Sequence, residues 1–421
     1  MKLGIFLSNF ISRIFLVVAS FSFTLLGARY YSPADLDSLV LFQLATSFTL
    51  TIFSFGLQDI FIRETSLSYL RNKNIDLVIQ TLLLVFIISL STIFTILLLH
   101  NYFHIKAWFF YGIISGVCFS QIKLIISIFR GLDNIVSFTI LQSIALSFPF
   151  VAGSFYLLLV NTALIQVNIE IVTFTFCGSV LFSWIILAYQ LLVNYNYKFN
   201  IKYFYKKLDI IIRAKPLFVQ SLIGIVIYQA DTALLAIFSM QGIIGVYGVI
   251  SRIINTIAII REIYAVTVLR SLVIMLDNKD GNALIKYTNH TAKLLFIPMF
   301  FLLIGMFYFS DNLVVMVFGH QDEFATVLMR ILLFTHLGFI LFSSTDHLLI
   351  ASHLERYVMF SSILAMLIFI TAAPLSLYLF GPIGLAIVIV IQRNSIFILG
   401  RNYLKRYGNI VIGVFGRIKY M

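Results

Sequence analysis

Charge is scarce in this 421-residue chain: only 11% of its residues are Asp, Glu, Lys or Arg, whereas 61% are hydrophobic. A soluble domain cannot cover its surface with so few polar groups, so the composition places the chain in a bilayer. Proline is limited to six residues, against 43 Phe and 21 Tyr. Cysteine is limited to two, Cys118 and Cys177, both inside apolar runs. Two such residues offer neither a disulfide framework nor metal-ligand spacing. Alternation of apolar and polar residues in segments of about ten is missing, which excludes a transmembrane barrel. Helices are the remaining way to satisfy a backbone in lipid. Low-complexity tracts are absent, as are HExxH, CxxC, a glycine-rich phosphate loop and any nucleophile–base constellation, so no enzyme chemistry is expected.

What the chain has is a succession of apolar stretches of about 20 residues, the length that crosses a bilayer. Twelve spans are predicted, at 5–28, 37–58, 77–99, 107–129, 136–160, 169–193, 216–239, 243–268, 293–310, 327–350, 357–380 and 382–400. The first reads as an uncleaved span rather than a signal peptide, because eleven similar segments follow. The fold class is therefore all-α and polytopic. Residues 1–195 form an N-terminal six-helix bundle, 196–215 a basic cytoplasmic linker, 216–400 a C-terminal six-helix bundle and 401–421 a basic tail. With six spans on each side of the linker, both halves enter the membrane the same way round. That arrangement suggests a parallel pseudo-repeat with a cleft between the bundles, as in alternating-access transporters.

Positive charge orients the chain. With the N-terminus in the cytoplasm, 21 of the 29 Lys and Arg residues fall in cytoplasmic segments and only Arg29 and Lys106 in outer loops. This is the bias that fixes membrane topology, and it puts both termini in the cytoplasm. The formal net charge of +12 then faces anionic lipid headgroups, not nucleic acid.

Ionisable residues within spans cost about 2.5–3.5 kcal/mol on insertion scales and call for a partner or a function. Asp231 lies in PLFVQSLIGIVIYQADTALLAIFSM (216–240), and Arg252 in the next span. Counted from their shared QG turn, both sit about 12–14 Å below the outer surface. They are expected to form an intramembrane ion pair, the alternative being an ion-coupling role for Asp231. Arg261, nine residues beyond Arg252, points to the opposite face of its helix. Its depth matches that of Arg13 on the first span, so Arg13 and Arg261 are the candidate substrate-binding residues, able to hold a diphosphate through guanidinium forks. Arg261 pairing with its neighbour Glu262 is the structural alternative. Lys123, Arg330 and Arg393 lie near span ends and are expected to snorkel to headgroups. His336 is expected in a hydrogen-bonded packing role.

Several short motifs carry a resemblance. ARYYSPADLDSL (28–39) leading to FGLQDIFIRE (55–64), and YQADTALLAIFSMQGIIGVYGVISRI (228–253), resemble first-hairpin and seventh–eighth-span patterns of polysaccharide flippases. FRGLDN (129–134), VFGHQDEF (317–324) and GPIGLAI (381–387) fall where that family carries similar motifs. The chain thus resembles the O-antigen flippase branch of the multidrug/oligosaccharidyl-lipid/polysaccharide exporter superfamily over most of its length. Asp37 and Ser38 replace the glycine usual after the first acidic stretch. The resemblance implies transfer of an undecaprenyl-diphosphate-linked oligosaccharide across the bacterial inner membrane by alternating access. It implies no cofactor, leaves proton or sodium coupling open, and gives as partners the polyprenyl-diphosphate-linked oligosaccharide, membrane lipids and other polysaccharide-assembly proteins.

Three rivals stand beside it. A drug/cation antiporter of the same superfamily would favour acidic residues in its cleft, whereas cationic residues prevail here. A membrane glycan polymerase or glycosyltransferase needs a large outer catalytic loop, and the longest here offers only Asp311, Asp322 and Glu323. A purely structural scaffold gives no reason for arginines inside spans.

Overall fold

The computed structural model describes residues 3–70, 76–103, 106–131, 135–162, 168–194, 204–238, 240–257, 272, 275, 281–342, 345–352, 354–408, 410–412 and 418–420. Nearly everything described is helical, and eight of the described helices are long and apolar enough to span a membrane by length and composition. The chain is a multi-pass helical membrane protein. It divides into two compact units, Met1–Ile225 and Val226–Met421. The division falls inside the helix of the expected seventh span rather than in the basic stretch before it.

The first unit contains α1 (Leu3–Tyr30), α2 (Pro33–Ser54), α3 (Leu57–Leu70), α4 (Asp76–Phe103), α5 (Ala107–Gly131), α6 (Ile135–Thr162) and α7 (Ile169–Asn194). It ends with the first turns of α8 (Phe204–Ile237). Helix α5 is its axis: from Gly112 to Phe129 every residue but Ile114 and Lys123 is buried, so neighbours surround this stretch. Gly112 and Gly116, four apart and on one face, allow this approach. A Cβ on Gly116 would stand 2.5 Å from the Thr46 carbonyl oxygen of α2, and one on Gly112 2.8 Å from that of Phe42. Around α5 the abundant phenylalanines interlock. The Phe176 ring lies 5.1–5.9 Å from those of Phe23, Phe42, Phe119 and Phe150. Five helices therefore meet at one aromatic cluster, in the tilted and edge-on geometries such rings prefer. The outer faces of α6 and α7 instead present Phe155, Phe174, Phe182 and Ile185 as exposed apolar groups, the surface a helix turns toward lipid.

The second span ends earlier than the sequence suggests. Phe55 and Gly56 both adopt positive φ, and the chain restarts as α3. Gly56 combines φ +65° with a Cβ position 2.5 Å from the Phe218 backbone nitrogen, so only glycine fits there. A second difference concerns the basic stretch 196–215, expected as a linker. Helix α8 already begins at Phe204, and its 34 residues run about 50 Å, well beyond one hydrocarbon thickness.

The second unit continues with α9 (Ile243–Thr256), α10 (Gly281–Tyr308), α11 (Ser310–Phe318) and α12 (Glu323–Leu333). Then come α13 (Leu337–Leu341), α14 (Thr345–Ala351) and α15 (Glu355–Tyr407). A single tenth span was expected over 327–350, but the helix is broken, with a 3₁₀ turn at Phe334–His336 and a non-helical Phe342. The expected break between spans eleven and twelve is present inside α15. Gly381 takes φ 65°, ψ −159°, and Pro382 follows it. Glycine supplies the left-handed backbone that ends one helix, and proline suits the first turn of the next, where its missing N–H costs nothing. In the tail, β1 (Ile410–Ile412) pairs antiparallel with β2 (Ile418–Tyr420).

Candidate functional site

The second unit holds a polar cluster inside apolar helices. Its first member, Asp231 on α8, is 3% exposed. The Asp231 Oδ1 accepts from the Thr232 backbone N–H at 2.7 Å and from Thr232 Oγ1 at 3.3 Å. Its Oδ2 accepts from Ser251 Oγ of α9 at 3.5 Å. Ser251 Oγ in turn accepts from Asn255 Nδ2 at 3.5 Å, and Asn255 Oδ1 accepts from Arg393 Nη1 of α15 at 2.7 Å. Each donor along this chain points toward the carboxylate. A guanidinium on one helix is thus joined to a carboxylate on another through two neutral side chains. The two 3.5 Å links are long for hydrogen bonds and are the weak members of the series.

Local sequence explains the path. Ser251 and Asn255 are four apart, so one stands above the other on a single face of α9. Arg252 is one residue, about 100°, further round. The face that α9 turns to Asp231 is therefore the Ser/Asn face. Arg252 and Asp231 do not close into a salt bridge, although the charge of Asp231 acts on Arg252 and that of Arg393 acts on Asp231. The Arg252 Nη1 atom is buried without a hydrogen-bond partner.

Arg393 departs from its expected place. A snorkelling arginine keeps its head in the headgroup layer, but Arg393 is only 7% exposed and its guanidinium lies 5.1 Å from the Tyr228 ring centroid. Its Nε is buried without a partner. Next to it, Asn394 binds the broken tenth helix: its Nδ2 donates to the Phe334 carbonyl at 2.9 Å, and its Oδ1 accepts from the Gly338 N–H. The 3₁₀ turn frees carbonyls that would otherwise be consumed within a helix. His336, on the same turn, is within 3.0 Å of the Ile254 carbonyl through Nε2, the packing role expected of it. Together Tyr228, Asn255, Thr335, His336, Phe339, Arg393 and neighbouring apolar side chains line a small pocket.

Arg330 is also tied into the protein. It forms a salt bridge to Asp311 at 2.8 Å and donates to Ser310 Oγ at 2.7 Å, joining α12 to α11. Of the two arginines expected to bind substrate, Arg261 lies outside the described residues. Arg13 belongs to α1, and its side chain is likewise outside them. Charge alone gives no sign of Ser251 and Asn255, and it places Arg393 at the headgroups instead of in this cluster. The available signal was the polar pair at spacing four in SRIIN (251–255), inside an otherwise apolar span.

No family model matches this sequence, and no curated protein matches it. Solved structures do match in fold. A lipid II flippase, MurJ, in an inward closed conformation superposes with a TM-score of 0.70 at 16% identity, covering 94% of this chain and 87% of that one. An inward-facing multidrug resistance transporter of the MATE family, within the MOP superfamily, gives 0.66 at 14% identity and 93% of both chains. A MATE transporter from Vibrio cholerae gives 0.60 at 12% identity, over 96% of this chain and 97% of that one. At these identities the likeness is one of fold.

Proposed function

From a fold shared with MOP-superfamily transporters, we propose that this chain is a flippase for a polyprenyl-diphosphate-linked oligosaccharide, of the kind used to build O-antigen or a similar surface polysaccharide. The observation that carries the reading is the superposition on a lipid II flippase over 94% of the chain. Its physical support is the cationic balance of the membrane interior, where six Lys or Arg residues lie within the predicted spans, Lys293 at the inner end of the ninth being counted with its cytoplasmic flank. The sugar and diphosphate cannot cross hydrocarbon unaided, whereas a prenyl chain can remain in lipid. Guanidiniums lower the cost of moving the negative head, since their planar fork matches phosphate oxygens.

In this reading Arg13 and Arg261 bind the diphosphate, one from each bundle. Asp231 offsets the charge of Arg252 and Arg393, and the protein alternates access in the bacterial inner membrane with both termini in the cytoplasm. The test is surface glycan in a flippase-deleted strain complemented with each variant, normalised to membrane-inserted protein. Arg13→Ala and Arg261→Ala should abolish export at normal abundance, with Arg→Lys retaining only part. Full export by both alanine variants would remove these residues from the mechanism.

A second reading, a drug/cation antiporter, is favoured by the MATE superpositions and by the buried carboxylate Asp231. It predicts export of a cationic dye dependent on Asp231 and no rescue of surface glycan. Dye efflux without glycan rescue would replace the flippase assignment.

A further inference from the structure

We infer that the pocket at Arg393 is an oxyanion-binding site for a phosphoryl group, formed wholly within the second unit. At 7% exposure Arg393 has given up most of its hydration, yet only its Nη1 edge is engaged by a neutral side chain, Asn255 Oδ1 at 2.7 Å. Its Nε is enclosed and makes no hydrogen bond. An enclosed N–H of a cation is expected to have an acceptor, because leaving it unmet costs the full desolvation of a charged donor. The carboxylate joined to Arg393 is two side chains away, and among the described residues the guanidinium makes no salt bridge. The same carboxylate is shared with Arg252, whose Nη1 is also enclosed without a partner.

The surroundings hold this donor edge in place. Tyr228 lies against the guanidinium, 5.1 Å from its centre to the ring centroid, and Asn255 fixes its rotation from the far edge. A planar fork held on one side by an amide and against an aromatic ring is preorganised for an oxygen pair arriving at the opposite edge. Arg393, Asn255 and His336 bring polar groups to the pocket, while Phe339, Phe397, Ile227 and Ile396 make it apolar elsewhere. The pocket is small, and its lining suits phosphoryl oxygens, whether these are carried on a hydrocarbon body that stays outside it or on free diphosphate. The assignment is separate from the transport reading and adds a site beyond Arg13 and Arg261.

The experiment measures binding by the full-length chain, purified in detergent. Isothermal titration uses farnesyl diphosphate, inorganic diphosphate and, as an uncharged control, farnesol. Farnesyl diphosphate should bind the wild type, and Arg393→Gln should weaken it at least tenfold without changing any farnesol signal. Arg393→Lys, which keeps the charge but not the fork, should fall between them. Ile396→Phe leaves Arg393 intact and fills the pocket; it should also weaken binding at least tenfold, so the test survives if Arg393→Gln does not fold. Equal affinity for inorganic diphosphate would identify free diphosphate as a ligand of the site, and much weaker affinity a lipid headgroup; both support the assignment. Failure of both diphosphates to bind the wild type would overturn it, as would unchanged affinity in the folded variants. A failed glycan-export assay with intact, Arg393-dependent binding would refute the transport reading alone.

Discussion

Replacing Asp231 with alanine asks whether one buried carboxylate is what makes two interior guanidiniums compatible with this fold. Asp231 accepts from the Thr232 N–H, Thr232 Oγ1 and Ser251 Oγ, and its charge acts on Arg252. Removing one partner of a buried ion pair costs roughly 3–5 kcal/mol, most of it the penalty of leaving the other charge uncompensated. Here the link to Arg393 passes through two 3.5 Å hydrogen bonds, and Arg252 forms no salt bridge with the carboxylate. The expected loss for Asp231→Ala is therefore about 3 kcal/mol, at the lower end of that range. Asp231→Asn keeps the shape and one acceptor oxygen but not the charge, and should lose about 1–2 kcal/mol, the premium of a charged acceptor over a neutral one. Because the chain of donors connects Asp231 to Arg393, Asp231→Asn combined with Arg393→Gln should destabilise less than the two changes summed, by about 0.5–2 kcal/mol. The assay is equilibrium unfolding of the purified protein in mixed micelles by a rising fraction of denaturing detergent. An alanine variant as stable as wild type, or strict additivity of the two polar changes, would refute the reasoning.

Other changes test the packing and the orientation. Gly56→Ala places a methyl group at φ +65° and 2.5 Å from the Phe218 nitrogen. It should cost about 2–5 kcal/mol, combining left-handed strain with overpacking, and be read as a lowered Tm in detergent. Gly116→Val should likewise cost at least about 1–3 kcal/mol by forcing α5 from α2, because the Thr46 carbonyl is 2.5 Å from the added carbon. Gly178→Ala, with nothing within 4 Å of its Cβ, should instead be neutral or gain about 0.5–1 kcal/mol. Reporter tags in 195–203 and at the C-terminus should give cytoplasmic signals, and tags in 163–167 periplasmic ones. A periplasmic signal from 195–203 would defeat the charge-based topology.

Composition placed this chain in a membrane, and its unbroken apolar runs made the spans helices, since a helix satisfies every backbone group within one segment and the alternation of a barrel is missing. Runs of apolar residues also located most elements. The apolar runs of the third to sixth spans end within a few residues of α4–α7, and the Gly381–Pro382 break follows from the chemistry of those two residues. Hydropathy is a local property, and local properties are legible one segment at a time. The sequence could not reveal the turn at Phe55–Gly56 or the broken helix at Phe334–His336. Both interrupt apolar runs without a proline, and the interruption is supported from elsewhere in the chain, by the backbone at Phe218 and the Asn394 amide. The site follows the same division. Asp231 stands out in any reading because its charge is conspicuous in an apolar segment. Which cation it serves was a question of helix rotation, and the phase of α9 turned Ser251 and Asn255, not Arg252, toward it. Arg393 is 162 positions from Asp231 in sequence, and only the packing of α15 against α8 and α9 joins them, because a hydrogen-bond chain is a property of three helices and is written in none of them singly.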